Sequence, residues 1–112
     1  MNVLFATAEF APLVRVGGLA AATAGLVAEL RRQGVEVEVV LPDYFDTALD
    51  GATELALDVP EWAQPAAART GTLAGVGEIT LISCAGIHRS HPYVQPNGLG
   101  WADNDRRFMA FS

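Results

Sequence analysis

The amino-terminal run MNVLFATAEFAPLVRVGGLAAATAGLVAELRRQGVEVEVVLP, residues 1–42, decides the fold. Val3-Leu4-Phe5-Ala6-Thr7-Ala8 is rich in apolar, β-branched and aromatic residues, and reads as a strand buried on both faces, as in a parallel sheet. Glu9 to Val16 is a loop containing Pro12. Gly17-Gly18 opens a helix over 18–33, in which Leu19, Ala22, Leu26, Val27 and Leu30 recur at helical spacing. Leu26 and Leu30 are expected to face the sheet. Gly25 costs about 1 kcal/mol relative to Ala in a helix interior, and close packing on the sheet would explain it. Arg31-Arg32-Gln33 fill the last turn, where cations suit the helix dipole, and Gly34 stands at the usual stop position. Val35 to Leu41 is a second strand, ended by Pro42. This is a βαβ unit. Its right-handed crossover puts the Gly17-Gly18 turn at the carboxyl edge of the sheet.

Beyond Pro42 the rhythm changes. Residues 54–59 and 70–75 read as two lesser strands in a hairpin-like excursion, with Trp62 and Pro65 in the link. Glu78 to Cys84 is another buried parallel strand, with Cys84 a small hydrophobe at its end. Gly86 to Gly100 is a long polar loop. Asp103 is the expected N-cap of a helix carrying Phe108 and Phe111, a cap of about 1 kcal/mol. Asn104 and Arg107 are expected to tether the loop, and Trp101 to anchor it. The sequence stops at Ser112 inside this helical pattern, as an amino-terminal piece of something larger would.

Composition excludes several classes of function. The 112 residues are 51% hydrophobic and only 18% charged, against about 25% charged in an average soluble domain. Part of the surface is therefore expected to be buried against something else. A net charge of −6 argues against a nucleic-acid partner. All seven basic residues are Arg, so a Schiff-base lysine and a Walker-type phosphate loop are ruled out. One Cys gives neither a disulfide framework nor a cysteine zinc site. His88 and His91 lack an obvious third ligand and read as structural, so neither metal nor cofactor is implied. The first eight residues have no basic start, and the longest apolar stretch, Leu19 to Ala28, is about half a membrane span. The expectation is a cytoplasmic chain with no membrane partner.

Chemistry concentrates at Arg15-Val16-Gly17-Gly18-Leu19. Two glycines before a helix leave amides open and let a ligand approach without a Cβ in the way. The helix amino-terminus favours an anion, and Arg15 adds a fork suited to phosphate oxygens. The bland alternative is a tight turn beside a solvated charge. A dinucleotide fold would need G-x-G-x-x-G, which residues 15–22, RVGGLAAA, do not supply. Asp43 alone favours that oxidoreductase-like reading.

Both ends of the chain resemble the start of bacterial glycogen synthases and plant starch synthases. That family opens with a strand, Glu-x-x-Pro, Lys-x-Gly-Gly-Leu, a helix, Gly, and a strand ending in Leu-Pro-x-Tyr. Here Glu9-Phe10-Ala11-Pro12, Arg15-Val16-Gly17-Gly18-Leu19, Gly34 and Leu41-Pro42-Asp43-Tyr44 stand in the same register. His91-Pro92-Tyr93, Asn97-Gly98 and the run from Trp101 to Ser112 are similar to the family's Pro-Tyr loop and its Asp-Asn-x-x-Arg-Phe-x-x-Phe-Ser helix.

The resemblance implies a Rossmann-like parallel sheet with flanking helices, the amino-terminal portion of a GT-B fold, with residues 1–112 an incomplete catalytic domain. It implies a retaining, metal-free glucosyltransferase that moves glucose from ADP-glucose or UDP-glucose to an α-1,4-glucan acceptor. The carboxy-terminal domain, with the acid of the cleft and the main phosphate-binding basic residues, is a missing partner, so this stretch holds no catalytic residue and is inactive alone. The resemblance puts Arg15, Gly17 and Gly18 on the donor diphosphate. Glu9 matches a position at the cleft edge, either ordering the loop or touching substrate. The family usually carries Asp where this chain has Ala21. The alternatives are a non-catalytic nucleotide-sugar or glucan-binding homologue, which Ala21 favours, and an unrelated Rossmann-like nucleotide-binding module.

Overall fold

A computed structural model describes residues 1–112. The elements run β1 (Asn2–Ala6), α1 (Gly18–Arg32), β2 (Glu36–Pro42), β3 (Asp50–Ala56), a 3-10 turn (Glu61–Ala63), β4 (Ala67–Leu73), β5 (Gly77–Ser83) and α2 (Asn104–Phe111). They build one mixed sheet in the order β1-β2-β5-β4-β3. The pairs β1–β2 and β2–β5 are parallel, and β4 is antiparallel to both β5 and β3. The expected parallel trio is present, and the excursion after Pro42 returns as an antiparallel hairpin on its flank. Its first strand lies earlier than expected, at 50–56 rather than 54–59. Every residue of β3 is exposed, so no buried stripe marks its frame in the sequence.

α1 ends as expected. The Val35 amide donates to the Leu30 carbonyl and the Gly34 amide to that of Arg31, a Schellman arrangement that needs the positive φ of Gly34, +86°. Arg31 goes further than a dipole contact. Its guanidinium donates to the carbonyls of Val37, Val76 and Glu78, stitching the end of α1 to the amino ends of β2 and β5.

Two expectations about α1 are corrected. Its buried residues are Ala20, Thr23 and Val27; Leu30 is partly buried and packs on the core as expected, while Leu26 is 49% exposed and points away. The rotation has a cause in the loop before the helix. The Thr23 hydroxyl donates to the Glu9 carbonyl at 2.9 Å, so a threonine takes the place that leucine periodicity suggested. Gly25 likewise packs against nothing, since a Cβ there would meet open space.

The core lies between α1 and one sheet face, built on Val27, Val37, Val39, Leu41, Ile79 and Leu81. Only that face is sealed. β1 alternates instead of being buried on both sides, with Val3 and Phe5 half-buried and Leu4 67% exposed. The opposite face is an apolar groove of about 560 Å³ lined by Leu4, Ala6, Val40, Ile82 and Phe111 among others. No helix is long and apolar enough to cross a membrane.

Candidate functional site at the carboxyl edge of the parallel strands

The carboxyl ends of β1, β2 and β5 deliver three loops to one edge of the sheet, where ligands of open α/β sheets bind. The first is Thr7–Gly17. Phe10 and Val14 are buried and exchange two backbone hydrogen bonds, of 3.0 and 2.9 Å, closing the loop on itself. The Ala11 amide reaches the Ala20 carbonyl, and the buried Tyr44 hydroxyl donates to the Ala8 carbonyl. The loop is therefore fastened to α1 and to the segment after β2.

Glu9 is at its centre, with only 6% of its surface exposed. One carboxylate oxygen, Oε1, accepts the amides of Val16 at 2.9 Å and Gly17 at 3.0 Å. The other, Oε2, accepts the Tyr93 hydroxyl at 2.8 Å. Burial pushes the Glu9 carboxyl upward, but the Tyr93 hydroxyl, these two amides and nearby His91 outweigh it and hold it below the ordinary glutamate value. Burial, with Glu9 as hydrogen-bond and charge neighbour, pushes the Tyr93 hydroxyl up.

The helix start itself is left open. Gly17 is the N-cap with no side-chain cap, and the first turn carries no acidic residue. The Gly17 amide is taken by Glu9, so the expectation of two open glycine amides narrows to one. Gly18 and Leu19 have no intrahelical acceptor and no other partner. A Cβ at Gly17 or Gly18 would meet nothing within 4 Å, so the approach is clear. Arg15 is exposed and makes no ion pair or hydrogen bond. Ala21 is exposed on the same first turn. Arg15, Gly17, Gly18 and Glu9 thus lie together, the first three facing solvent and Glu9 beneath them.

The third loop, beyond β5, is held from behind. Arg107 is buried and donates to the carbonyls of Gly86, Ile87 and Pro92 and to Asn104 Oδ1. Asn104 Nδ2 donates to the Tyr93 carbonyl, and Trp101 Nε1 to that of His91. The expected tethers and anchor are these bonds. Asp103 is not the expected side-chain cap, because its carboxylate turns to Arg89 at 3.0 Å instead. Asp43 is buried and paired with Arg69, and its other oxygen takes the Thr47 amide, so it faces no open site. His91 accepts the amides of Tyr93 and Val94, and His88 meets Ser83. Cys84 is buried, and burial raises its thiol pKa. The residue that reading by motif left without a role is Tyr93. Its partner is Glu9, and no local pattern predicts so distant a hydrogen bond.

Sheet, crossover and turn define an α/β Rossmann-like unit with an open helix start at its carboxyl edge. Residues 2–112 match the family described as starch synthase catalytic domain, and the chain belongs to that family. It is similar to the glycogen synthase of Dechloromonas aromatica (strain RCB), 36% identical over all of this chain and 24% of the relative. It is also similar to that of Acidiphilium cryptum (strain JF-5), 34% identical over 98% of the chain and 24% of the relative. Glycogen synthase 2 of Nitrosococcus oceani is 36% identical over the same two shares. The chain thus spans about a quarter of the length of these curated relatives.

Proposed function

We propose that this chain is the amino-terminal, donor-side part of a GT-B glucosyltransferase catalytic domain. In the whole cytoplasmic enzyme, glucose passes from ADP-glucose or UDP-glucose to an α-1,4-glucan. A second Rossmann-like domain supplies the rest of the cleft. Arg15 and the amides of Gly18 and Leu19 contact the donor diphosphate, and the absence of a Cβ at Gly17 and Gly18 lets it come close. The observation that carries this reading is the uncapped start of α1, open to solvent beside an Arg with no partner. A helix start with no acidic residue in its first turn, where α2 carries Asp105, is suited to an external anion.

Calorimetric titration with ADP and ADP-glucose tests it, on this chain or any longer one containing it. Arg15→Ala should weaken both ligands equally, by about 1.5–3 kcal/mol, the range for hydrogen bonds to charged groups. Arg15→Lys should lose less, since charge survives without the fork. Unchanged ADP affinity in Arg15→Ala would sink the reading. A non-catalytic binding homologue is favoured by one residue, Ala21, exposed on the first turn of α1. Ala21→Asp should leave ADP affinity unchanged and improve binding or turnover of the intact donor if this turn also meets the sugar.

A further inference from the structure

The turn offers four successive amides, Val16 to Leu19, and they are not equivalent. The first two are filled by Glu9 Oε1, at 2.9 and 3.0 Å, and the next two are unpaired. The same carboxylate uses its other oxygen on Tyr93 and is nearly sealed from solvent. Three of the roughly four acceptor positions of a carboxylate are taken by protein groups, and with burial this leaves it poorly placed to grip a ligand. Tyr93 is not free to follow Glu9, because the Tyr93 carbonyl is held by Asn104 and the neighbouring Pro92 carbonyl by Arg107. Glu9 is therefore clamped between a braced loop and the turn.

On this basis, and resting on the donor-site reading above, we infer that Glu9 is a positioning residue. Its carboxylate closes the lower pair of amides and reserves the upper pair, Gly18 and Leu19, for the incoming diphosphate. A fixed internal anion on Val16 and Gly17 repels a second anion from that berth. The ligand is then displaced toward the helix start, where the partial positive charge is concentrated. Tyr93 holds the carboxylate in that pose from across the site. Glu9 acts through the turn and touches no ligand atom.

Amide chemical shifts followed by NMR test this, with ADP and, separately, inorganic pyrophosphate titrated into the full chain. In the wild type, Gly18 and Leu19 should respond while Val16 and Gly17 stay still. Glu9→Gln keeps an oxygen for both amides and drops the repelling charge. It should bind both ligands at least as tightly, about two- to fivefold tighter as relief of one screened like charge predicts. Glu9→Ala frees the lower pair, so the Val16 and Gly17 amides should now respond to ligand. Tyr93→Phe should show the same spread of response to a smaller degree, and keeps the test open if Glu9→Ala does not fold. A fivefold or greater weakening in Glu9→Gln would make Glu9 a ligand contact and overturn the inference while leaving the donor site standing. So would Val16 and Gly17 responding in the wild type. If no amide of the turn responds to either ligand in the wild type, the donor-site reading fails and the inference with it.

Discussion

The loop from Gly86 to Trp101 and the turn from Arg15 to Leu19 occupy the same edge of the sheet and treat their polar groups in opposite ways. The loop is closed by a buried guanidinium that spends four hydrogen bonds on three carbonyls and one side-chain amide. Trp101 of the loop and Asn104 of α2 spend theirs on the carbonyls of His91 and Tyr93. The turn keeps two amides and one guanidinium unspent. Both have a polar cluster and an Arg, so residue type alone does not distinguish them. What differs is saturation. A saturated cluster stabilises the fold, and an unsaturated one at the surface is available to a ligand. Arg107 and Arg15 are therefore opposite cases of the same side chain.

The largest effect expected from this contrast is at Arg107. Arg107→Ala removes a residue that is 99% buried and orphans the carbonyls of Gly86, Ile87 and Pro92, the last two at buried positions. The cost should be about 3–5 kcal/mol, since each buried group left unpaired costs roughly 1–3 kcal/mol. For a domain of this size the chain should be largely unfolded by denaturant melts at room temperature, or melt far lower. A loss below about 1 kcal/mol would mean that water replaces the guanidinium easily, and the contrast between loop and turn would collapse.

The next effect sharpens the contrast inside α1, whose one side meets the core and whose start meets solvent. Val27→Ala should cost about 2 kcal/mol, because two buried methyl groups are lost with partial collapse of the site. Leu26→Ala should cost less than about 1 kcal/mol, since Leu26 is already half in water. Equal losses in urea melts, or a larger one at Leu26, would restore the leucine face that periodicity suggests and break the rotation set by Thr23.

That rotation shows where sequence stops being sufficient. The order β1, α1, β2 and the parallel pairing with β5 were legible because each rests on local evidence: apolar runs, a 3.6 period, Gly34, Pro42. The turn at Gly17-Gly18 was legible for the same reason. The rotation of α1 was not, because it depends on the Glu9 carbonyl needing a donor, and Thr23 lies 14 residues on. The position of Asp103 suits a cap, yet Arg89 competes for the carboxylate and wins. β3 shows no buried stripe to set its frame. The pairing of Glu9 with Tyr93 joins two loops 84 residues apart. Apart from β3, each of these features rests on a side chain whose partner is supplied by tertiary structure.

The smallest stability effect expected is at Gly18, and there stability and binding should move in opposite directions. Gly18 is the first residue of α1, it has no positive φ, and a Cβ would meet nothing within 4 Å. Nothing in the folded chain therefore demands glycine. Gly18→Ala restricts the unfolded chain and favours helix, so it should stabilise, by up to about 0.4–1 kcal/mol. The same methyl group stands beside an unpaired amide, where a diphosphate oxygen must come to about 2.9 Å of the nitrogen. ADP affinity should therefore fall while the melting temperature holds or rises. Differential scanning calorimetry and ADP titration on one preparation read both quantities. A variant that is less stable would show that Gly18 is needed for the turn itself, as Arg107 is for the loop. A variant that is more stable and binds ADP as before would show that no ligand uses the opening. Only a rise in one with a fall in the other fits a turn whose bare backbone serves a ligand rather than the fold.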